Sequence, residues 1–128
     1  MKQLGNSEII VQGVVLGAWA MGGWYWGGTD DNAAISSIHA SLDEGIFGID
    51  TAPIYGCGHS EDVVGRAIQD RRERVVLMTK VGLRWDCEDG VFFFGMSEEE
   101  GGHQVYRNLR PNSIRQEVED SLKRLQTD

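Results

Sequence analysis

The chain has 128 residues, and 12 Lys and Arg against 20 Asp and Glu give it a formal net charge of −8 at pH 7. A chain this acidic lacks the basic face that a nucleic acid or an anionic membrane surface requires, so we expect neither as a partner. Two cysteines are too few for a disulfide framework, and no apolar run has the length of a signal peptide or a membrane span, which indicates a cytoplasmic location.

Three short apolar runs recur at a nearly constant spacing and predict β-strands: Val14–Trp19, Ile46–Ala52 and Val75–Val81. They are rich in β-branched and aromatic residues. Nearly every position is apolar, which is typical of parallel strands that are covered on both faces. Residues Glu8–Val11 predict a further short strand or hairpin before them.

The first two predicted strands are each followed by a helical pattern. The segment Asp30–Asn32 can cap a helix that ends at Gly45, and the apolar face of this helix is formed by Ile35, Ile38 and Leu42. Ser60 is a candidate N-cap for a second helix, with Glu61 and Asp62 in the first turn, where the helix dipole favours acids.

A third helix is predicted from Ser113, after Pro111, by a capping-box pattern. Its predicted apolar stripe consists of Ile114, Val118, Leu122 and Leu125. Strand and helix therefore alternate three times, at a spacing that suits βαβ units with right-handed crossovers. The expected fold class is α/β, with a parallel sheet and helices outside it.

Residues 83–110 interrupt this alternation and form a long predicted loop between the third strand and the third helix. The segment has no clear period, and it contains six acidic residues and the run Phe92–Phe94. Connections of this length are uncommon and are usually functional or disordered. A mobile surface insertion and a substrate-covering loop are both consistent with the pattern, and the three phenylalanines favour the second.

Three polar side chains are expected at one edge of the predicted sheet. Asp50 ends the second strand, Lys80 ends the third, and Tyr55 follows Asp50 in the next loop. The carboxyl ends of parallel strands and the loops after them form the active face of such sheets. For Asp50 and Lys80 alone, a structural ion pair between neighbouring strands is at least as good an interpretation as catalysis.

The presence of Tyr55 favours catalysis over a purely structural ion pair. An ammonium group close to a phenol stabilises the phenolate and makes the phenol a better proton donor near neutral pH. Asp50 would keep Lys80 charged and oriented. The three groups together suit the reduction of a carbonyl group, whose oxygen must receive a proton as hydride reaches the carbon. Without the other two, Tyr55 would be interpreted as a packed loop aromatic beside Pro53.

At these residues the sequence resembles the aldo-keto reductases. The resemblance is carried by Gly17–Gly23, Gly48–Glu61 and Thr79–Gly82, and Ser121–Asp128 matches the helix that leads into the fourth barrel strand of that family. The matches run in the right order over nearly the whole chain. The string Asp-Thr-Ala, Tyr-Gly, Ser-Glu and Gly within Gly48–Gly65 is highly specific.

The resemblance implies a parallel (β/α)8 TIM barrel, of which residues 1–128 would be a single partial domain with the first three βα units and an N-terminal β-hairpin. It implies NADPH as the usual cofactor, with NADH possible, and the reduction of small aldehydes or ketones to alcohols. By the family's pattern, Tyr55 is the general acid and is assisted by Lys80 and Asp50. Asp50, Trp19 and Ala18 would lie near the cofactor. The alternative is a non-catalytic interaction or regulatory module on the same scaffold.

The family's fourth catalytic residue is a histidine at the end of the fourth strand, which would follow Asp128. Neither His59 nor His103 ends a predicted strand, so we do not expect either to replace it. A complete barrel needs about 250 residues. We therefore expect this chain to be a fragment that is inactive by itself, with open sheet edges that favour self-association.

Two other features are a glycine-rich segment and the two cysteines. The glycine-rich segment Gly22–Gly28 lacks the spacing of known phosphate-binding loops and is interpreted as a substrate-side loop with aromatic walls. Cys57 is interpreted as a small residue in a glycine-rich turn rather than as a reactive thiol, and Cys87 likewise.

Overall fold

The computed structural model describes residues 1–128. An N-terminal antiparallel hairpin pairs β1 (Lys2–Gln3) with β2 (Ile10–Val11). This confirms the extra strand or hairpin predicted before the first apolar run. The longest helix of the chain has 15 residues, and no helix has both the length and the apolar character needed to cross a membrane.

A three-stranded parallel sheet lies at the centre of the chain. Its strands are β3 (Leu16–Gly17), β4 (Gly48–Asp50) and β5 (Val76–Met78), in that spatial order. Strands β3 and β4 pair through Gly17 opposite Asp50, and β4 and β5 pair through Asp50 opposite Met78. The predicted order and direction are confirmed, although each strand is shorter than its apolar run.

Helices α1 (Asp31–Asp43) and α2 (His59–Ile68) pack against this sheet. The predicted capping segment of α1 is confirmed, and within it Asp30 is the N-cap, since its carboxylate accepts hydrogen bonds from the backbone N–H groups of Asn32 and Ala33. The core between the layers is apolar and includes Ile38, Leu42, Ile49, Val63, Val64 and Ile68. Removing this apolar surface from water stabilises the βα units.

Helix α2 begins two residues earlier than the N-cap prediction requires. Its N-cap is Gly58, with a φ of 98°, and the helix starts at His59. Glu61 lies in the first turn, as predicted, and is fully buried. Ser60 is fully buried as well and is not the N-cap that the sequence predicts. The prediction is wrong because the Ser60 hydroxyl bonds to neighbouring strand ends instead of to its own helix.

Helix α3 (Pro111–Leu125) also differs from its prediction. Its N-cap is Arg110, so Ser113 lies within the first turn rather than before it. The face toward the rest of the chain consists of Ser113, Glu117, Ser121 and Leu125. Val118, in the predicted apolar stripe, is 43% exposed, and of that stripe only Leu125 is fully buried. The orientation follows from polar contacts of the buried face with other elements, which a periodicity of apolar residues does not reveal.

The long segment between β5 and α3 is not irregular. It contains an antiparallel sheet of β6 (Leu83–Arg84), β7 (Val91–Gly95) and β8 (Gln104–Arg107), with β8 in the middle. The pairing of β7 with β8 has an irregularity between Phe92 and Phe94. Phe92 and Phe93 are exposed, so β7 lacks the alternation of buried and exposed positions that identifies a strand in sequence.

Candidate active site

An ion pair joins the ends of the second and third parallel strands. The Nζ atom of Lys80 lies 2.9 and 2.8 Å from the two carboxylate oxygens of Asp50, and it also donates a 2.9 Å hydrogen bond to the backbone carbonyl of Thr51. Both side chains are partly open to solvent, at 47% for Lys80 and 39% for Asp50. The pair is therefore accessible to small molecules at the carboxyl edge of the sheet, and it is not a buried structural ion pair.

The third candidate residue lies beside this pair. Lys80 Nζ is 5.1 Å from the centroid of the Tyr55 ring. The structure thus brings Asp50, Tyr55 and Lys80 together, as their positions at strand ends led us to expect. Tyr55 also stacks on the exposed indole of Trp19, with ring centroids 5.9 Å apart and planes inclined by 26°.

The surroundings of Lys80 keep it protonated. Burial lowers the pKa of its ammonium, but the hydrogen bonds and charge of Asp50, with a contribution from Tyr55, outweigh burial and raise the pKa above the ordinary lysine value. Lys80 is therefore a fixed positive charge near neutral pH. A fixed charge in this position suits the stabilisation of a negative charge on a neighbouring oxygen.

Ala18, predicted from the family resemblance to lie near the cofactor, is held at the strand end by backbone hydrogen bonds. Its side chain is fully buried, its N–H donates to the carbonyl of Asp50, and its own carbonyl accepts from the Ser60 hydroxyl. Trp19, the next residue, is the one that presents a surface to solvent. The contact of Ala18 with a cofactor stays a prediction, and in the structure its backbone links the strand end to Ser60 and precedes Trp19.

A groove with a volume of about 710 Å³ is lined by the turn that follows Tyr55, but not by Tyr55, Asp50 or Lys80 themselves. One wall is the glycine-rich loop, one is the turn at Gly56 and Cys57, and one is the segment from Met96 to His103. Trp24 and Phe94 stack with centroids 5.7 Å apart, so the antiparallel sheet is attached to the glycine-rich loop. This gives the loop the aromatic wall that its sequence predicts.

Neither histidine of interest contacts the ion pair. His59 Nε2 lies 2.8 Å from an Asp31 carboxylate oxygen, and His103 lines the groove beside Glu99 and Glu100. The structure describes no group of three or more His, Cys, Asp or Glu side chains arranged to hold a metal ion.

Two buried carboxylates near the strand ends were not identified from sequence. Glu61 is fully buried beside Thr79, and Glu117 accepts a 2.8 Å hydrogen bond from the backbone N–H of Gly82. Glu61 bonds to Thr79, directly before Lys80, and Glu117 bonds to Gly82, two residues after Lys80. Their partners lie 18 and 35 positions away along the chain, so no local pattern marks them.

Comparison with known proteins agrees with this geometry. The model of the aldo/keto reductase family matches residues 13–128. Because the match covers far more than half of the chain, this protein belongs to the aldo/keto reductase family.

Among its relatives, aldo-keto reductase YhdN of Bacillus subtilis is 42% identical over 127 residues, which are 98% of this chain and 34% of the relative. The NADH-specific methylglyoxal reductase of Escherichia coli is 41% identical over 128 residues, covering 98% of this chain and 38% of that protein. The chain thus spans about a third of the length of the relatives that it matches.

Solved structures show the same relationship. Glycerol dehydrogenase from Gluconobacter oxydans has a TM-score of 0.78 and 46% identity, over 98% of this chain and 35% of that chain. An aldo-keto reductase from Klebsiella pneumoniae in complex with NADPH has a TM-score of 0.64 and 30% identity, over 92% of this chain and 32% of that chain. These neighbours confirm the barrel fold class, of which this chain is a partial α/β unit.

Proposed function

We propose that this chain carries the proton-donating half of an NAD(P)H-dependent carbonyl reductase that converts small aldehydes or ketones to alcohols. The observation that supports this most directly is the contact of Lys80 with both Asp50 and Tyr55 at one edge of the parallel sheet. A purely structural ion pair would not need a phenol beside it, and the Tyr55 ring is only half-buried. Membership of the aldo/keto reductase family supports the same reaction class.

In the proposed mechanism, Tyr55 holds the proton that the substrate oxygen receives. The carbonyl oxygen accepts a hydrogen bond from the Tyr55 hydroxyl and takes its proton as negative charge develops on it. The Lys80 ammonium stabilises the tyrosinate that remains, and Asp50 holds the ammonium in place. When bound, the reduced nicotinamide supplies the hydride that adds to the carbonyl carbon. Water then returns a proton to Tyr55.

The residues at this edge fit a nicotinamide nucleoside. Trp19 offers an exposed flat ring against which a planar heterocycle can lie, and Asp50 has solvent-facing carboxylate surface that can accept hydrogen bonds from ribose hydroxyls. A Cβ added at Gly17 would meet no atom within 4 Å, so the strand end leaves room for a ligand. We propose NADPH as the usual cofactor, supported by the Klebsiella complex, with NADH possible because the E. coli relative is NADH-specific by name.

We also propose that residues 1–128 form one partial barrel domain and that the protein is cytoplasmic. The substrate is proposed to be a small carbonyl compound, consistent with a relative named for the reduction of methylglyoxal and with a neighbour named for the oxidation of glycerol, the reverse direction on a small alcohol. By itself, the chain is expected to have no measurable turnover, because the cofactor and substrate would contact only this edge of the sheet.

The test is a chimera in which this chain replaces the matched third of YhdN. Oxidation of NADPH is followed with methylglyoxal and with glyceraldehyde. Tyr55→Phe in the chimera should lower kcat by about 100-fold or more, the usual contribution of a general acid. Tyr106→Phe, on the antiparallel sheet, is the matched control and should leave kcat unchanged. Equal rates for Tyr55→Phe and the parent chimera would remove Tyr55 from the mechanism.

A further inference from the structure

The first turn of α2 contacts the ends of all three parallel strands. Asp50 is the last residue of β4, and Trp19 and Lys80 each lie two residues beyond the end of β3 and of β5. The contacts come from the consecutive residues Ser60 and Glu61, both fully buried. Two side chains of one helical turn therefore reach three separate segments of the chain.

Ser60 joins the first and second strand ends. Its hydroxyl donates a 2.7 Å hydrogen bond to the carbonyl of Ala18 and lies 2.9 Å from the hydroxyl of Thr51. Ala18 directly precedes Trp19, and Thr51 directly follows Asp50. The Thr51 carbonyl in turn accepts a hydrogen bond from Lys80 Nζ.

Glu61 reaches the third strand end. Its Oε1 accepts a 2.6 Å hydrogen bond from the Thr79 hydroxyl, and its Oε2 accepts a 2.7 Å hydrogen bond from Arg124 Nε. Thr79 directly precedes Lys80. Because Arg124 lies on α3, the carboxylate also fixes that helix relative to the strand end.

We propose that Ser60 and Glu61 are positioning residues that set the relative placement of Trp19, Asp50 and Lys80 through Ala18, Thr51 and Thr79. The inference rests on the proposed function for its catalytic meaning, although the positioning itself is a property of the chain alone.

The polar character of the contacts supports positioning rather than general stability. Burying a hydroxyl and a carboxylate costs free energy that apolar side chains of the same size would not cost. Hydrogen bonds, unlike apolar contacts, fix both distance and direction. Since each contacted residue adjoins a candidate site residue, a small displacement here moves the site, and misplacement of a reacting group by about 1 Å costs about 100-fold in rate.

Thr79 offers the mildest test, because its partly exposed side chain can be changed without disturbing the Glu61–Arg124 pair. Thr79→Val removes only the hydroxyl, and Thr79→Ser keeps it. The chain has three lysines, Lys2, Lys80 and Lys123, so selective 15N labelling of lysine gives few ammonium signals in NMR spectra. Exchange of the Lys80 ammonium protons with water reports directly on its bonds to Asp50 and Thr51.

We expect Thr79→Val to speed this exchange several-fold and Thr79→Ser to restore the slow rate of the parent chain. Ser60→Ala should have the same effect as Thr79→Val. The control is Asp43→Asn, which breaks a partly exposed ion pair with Arg71 and touches neither the first turn of α2 nor the strand ends. It should leave the Lys80 signal unchanged.

Unchanged exchange in Thr79→Val, together with a lowered melting temperature, would overturn the proposal and leave a purely structural role. In the chimera, positioning predicts that Thr79→Val lowers kcat about 10-fold with little change in KM, since orientation acts in the transition state. The NMR measurement needs no turnover, so faster exchange in an inactive chimera would contradict the proposed function and leave the positioning intact.

Discussion

The carboxylate of Glu117 accepts a 2.8 Å hydrogen bond from the backbone N–H of Gly82, two residues after Lys80. Ser113, on the same helix, donates a weaker hydrogen bond to the other carboxylate oxygen. Glu117 thereby links α3 to the turn that follows the third strand. Burial raises the pKa of Glu117 above the ordinary glutamate value, and the Gly82 hydrogen bond and the nearby Arg84 guanidinium only partly offset this effect.

Glu117→Gln should therefore change the pH dependence of stability. Because the folded pKa lies above the unfolded one, the folded chain binds more protons between these values, and its free energy of unfolding falls as pH rises through that interval. Gln accepts the same Gly82 hydrogen bond and does not titrate. The free energy of unfolding of the variant, measured in urea, should therefore rise relative to that of the parent chain as the pH is raised from acidic to neutral. Glu119→Gln, exposed on the same helix, is the control, and a difference independent of pH would contradict the expectation.

Arg124→Met should be strongly destabilising. It leaves the fully buried Glu61 without its ionic partner, and removal of one member of a buried pair costs about 3–5 kcal/mol. The matched control is Arg66→Met, whose pair with Asp31 is partly exposed and should contribute less than about 1 kcal/mol. Denaturant unfolding of both variants gives the comparison. Equal losses of unfolding free energy in the two variants would mean that groups other than Arg124 stabilise the buried charge of Glu61.

Gly22→Ala should separate the glycine-rich loop from the turn that carries Tyr55. A Cβ at Gly22 would lie 2.6 Å from the backbone carbonyl carbon and oxygen of Tyr55, a distance that requires the backbone to move. The stacking of Tyr55 on Trp19 should weaken, and near-ultraviolet circular dichroism should report this loss. Gly17→Ala is the control, because its Cβ would meet nothing within 4 Å and its φ is not positive. An unchanged spectrum for Gly22→Ala would show that the loop adjusts freely.

Cys57 should react slowly with alkylating reagents in the folded chain. Burial raises the pKa of its thiol to about 11, so only about one molecule in a thousand carries the reactive thiolate at pH 8. Treatment with iodoacetamide, followed by mass spectrometry of peptides, measures the rate at Cys57. The same reaction in denaturant provides the unshielded rate and should be much faster. Equal rates in both states would make Cys57 a reactive thiol, the interpretation that the sequence analysis disfavoured.

The parallel sheet and the Asp50–Lys80 contact could be predicted because both follow from local patterns. Apolar runs with few polar positions identify covered parallel strands, and residues that end such strands meet at one edge. The hydrogen bonds of Ser60 and Glu61 behind that edge could not be predicted from the sequence. Glu61 lies in the first turn of a helix, where an exposed acid is the ordinary interpretation, and its partner Arg124 is 63 positions away.

The face of α3 was mispredicted for the same reason. Apolar periodicity selects Ile114, Val118 and Leu122, but the buried positions are chosen by partners on other elements, such as Gly82 for Glu117. Close backbone contact adds to this, since a Cβ on Gly65 of α2 would lie 2.5 Å from the carbonyl oxygen of Arg124. Such contacts depend on the assembled fold and leave no signal within one helix.

Self-association is the last expectation. Strands β3 and β5 each have an unpaired edge, and apolar side chains are exposed elsewhere on the surface, including Val14 before β3 at 61% and Val118 on α3 at 43%. Open edges and apolar surface favour pairing with another copy, so the weight-average sedimentation coefficient should rise with concentration. Val118→Lys should reduce this rise, whereas Gln116→Lys, which adds the same charge at an exposed position of α3, should reduce it less. The same sedimentation coefficient at all concentrations would show that the chain does not self-associate. Equal effects of Val118→Lys and Gln116→Lys would show that charge, rather than loss of an apolar contact, reduces the association.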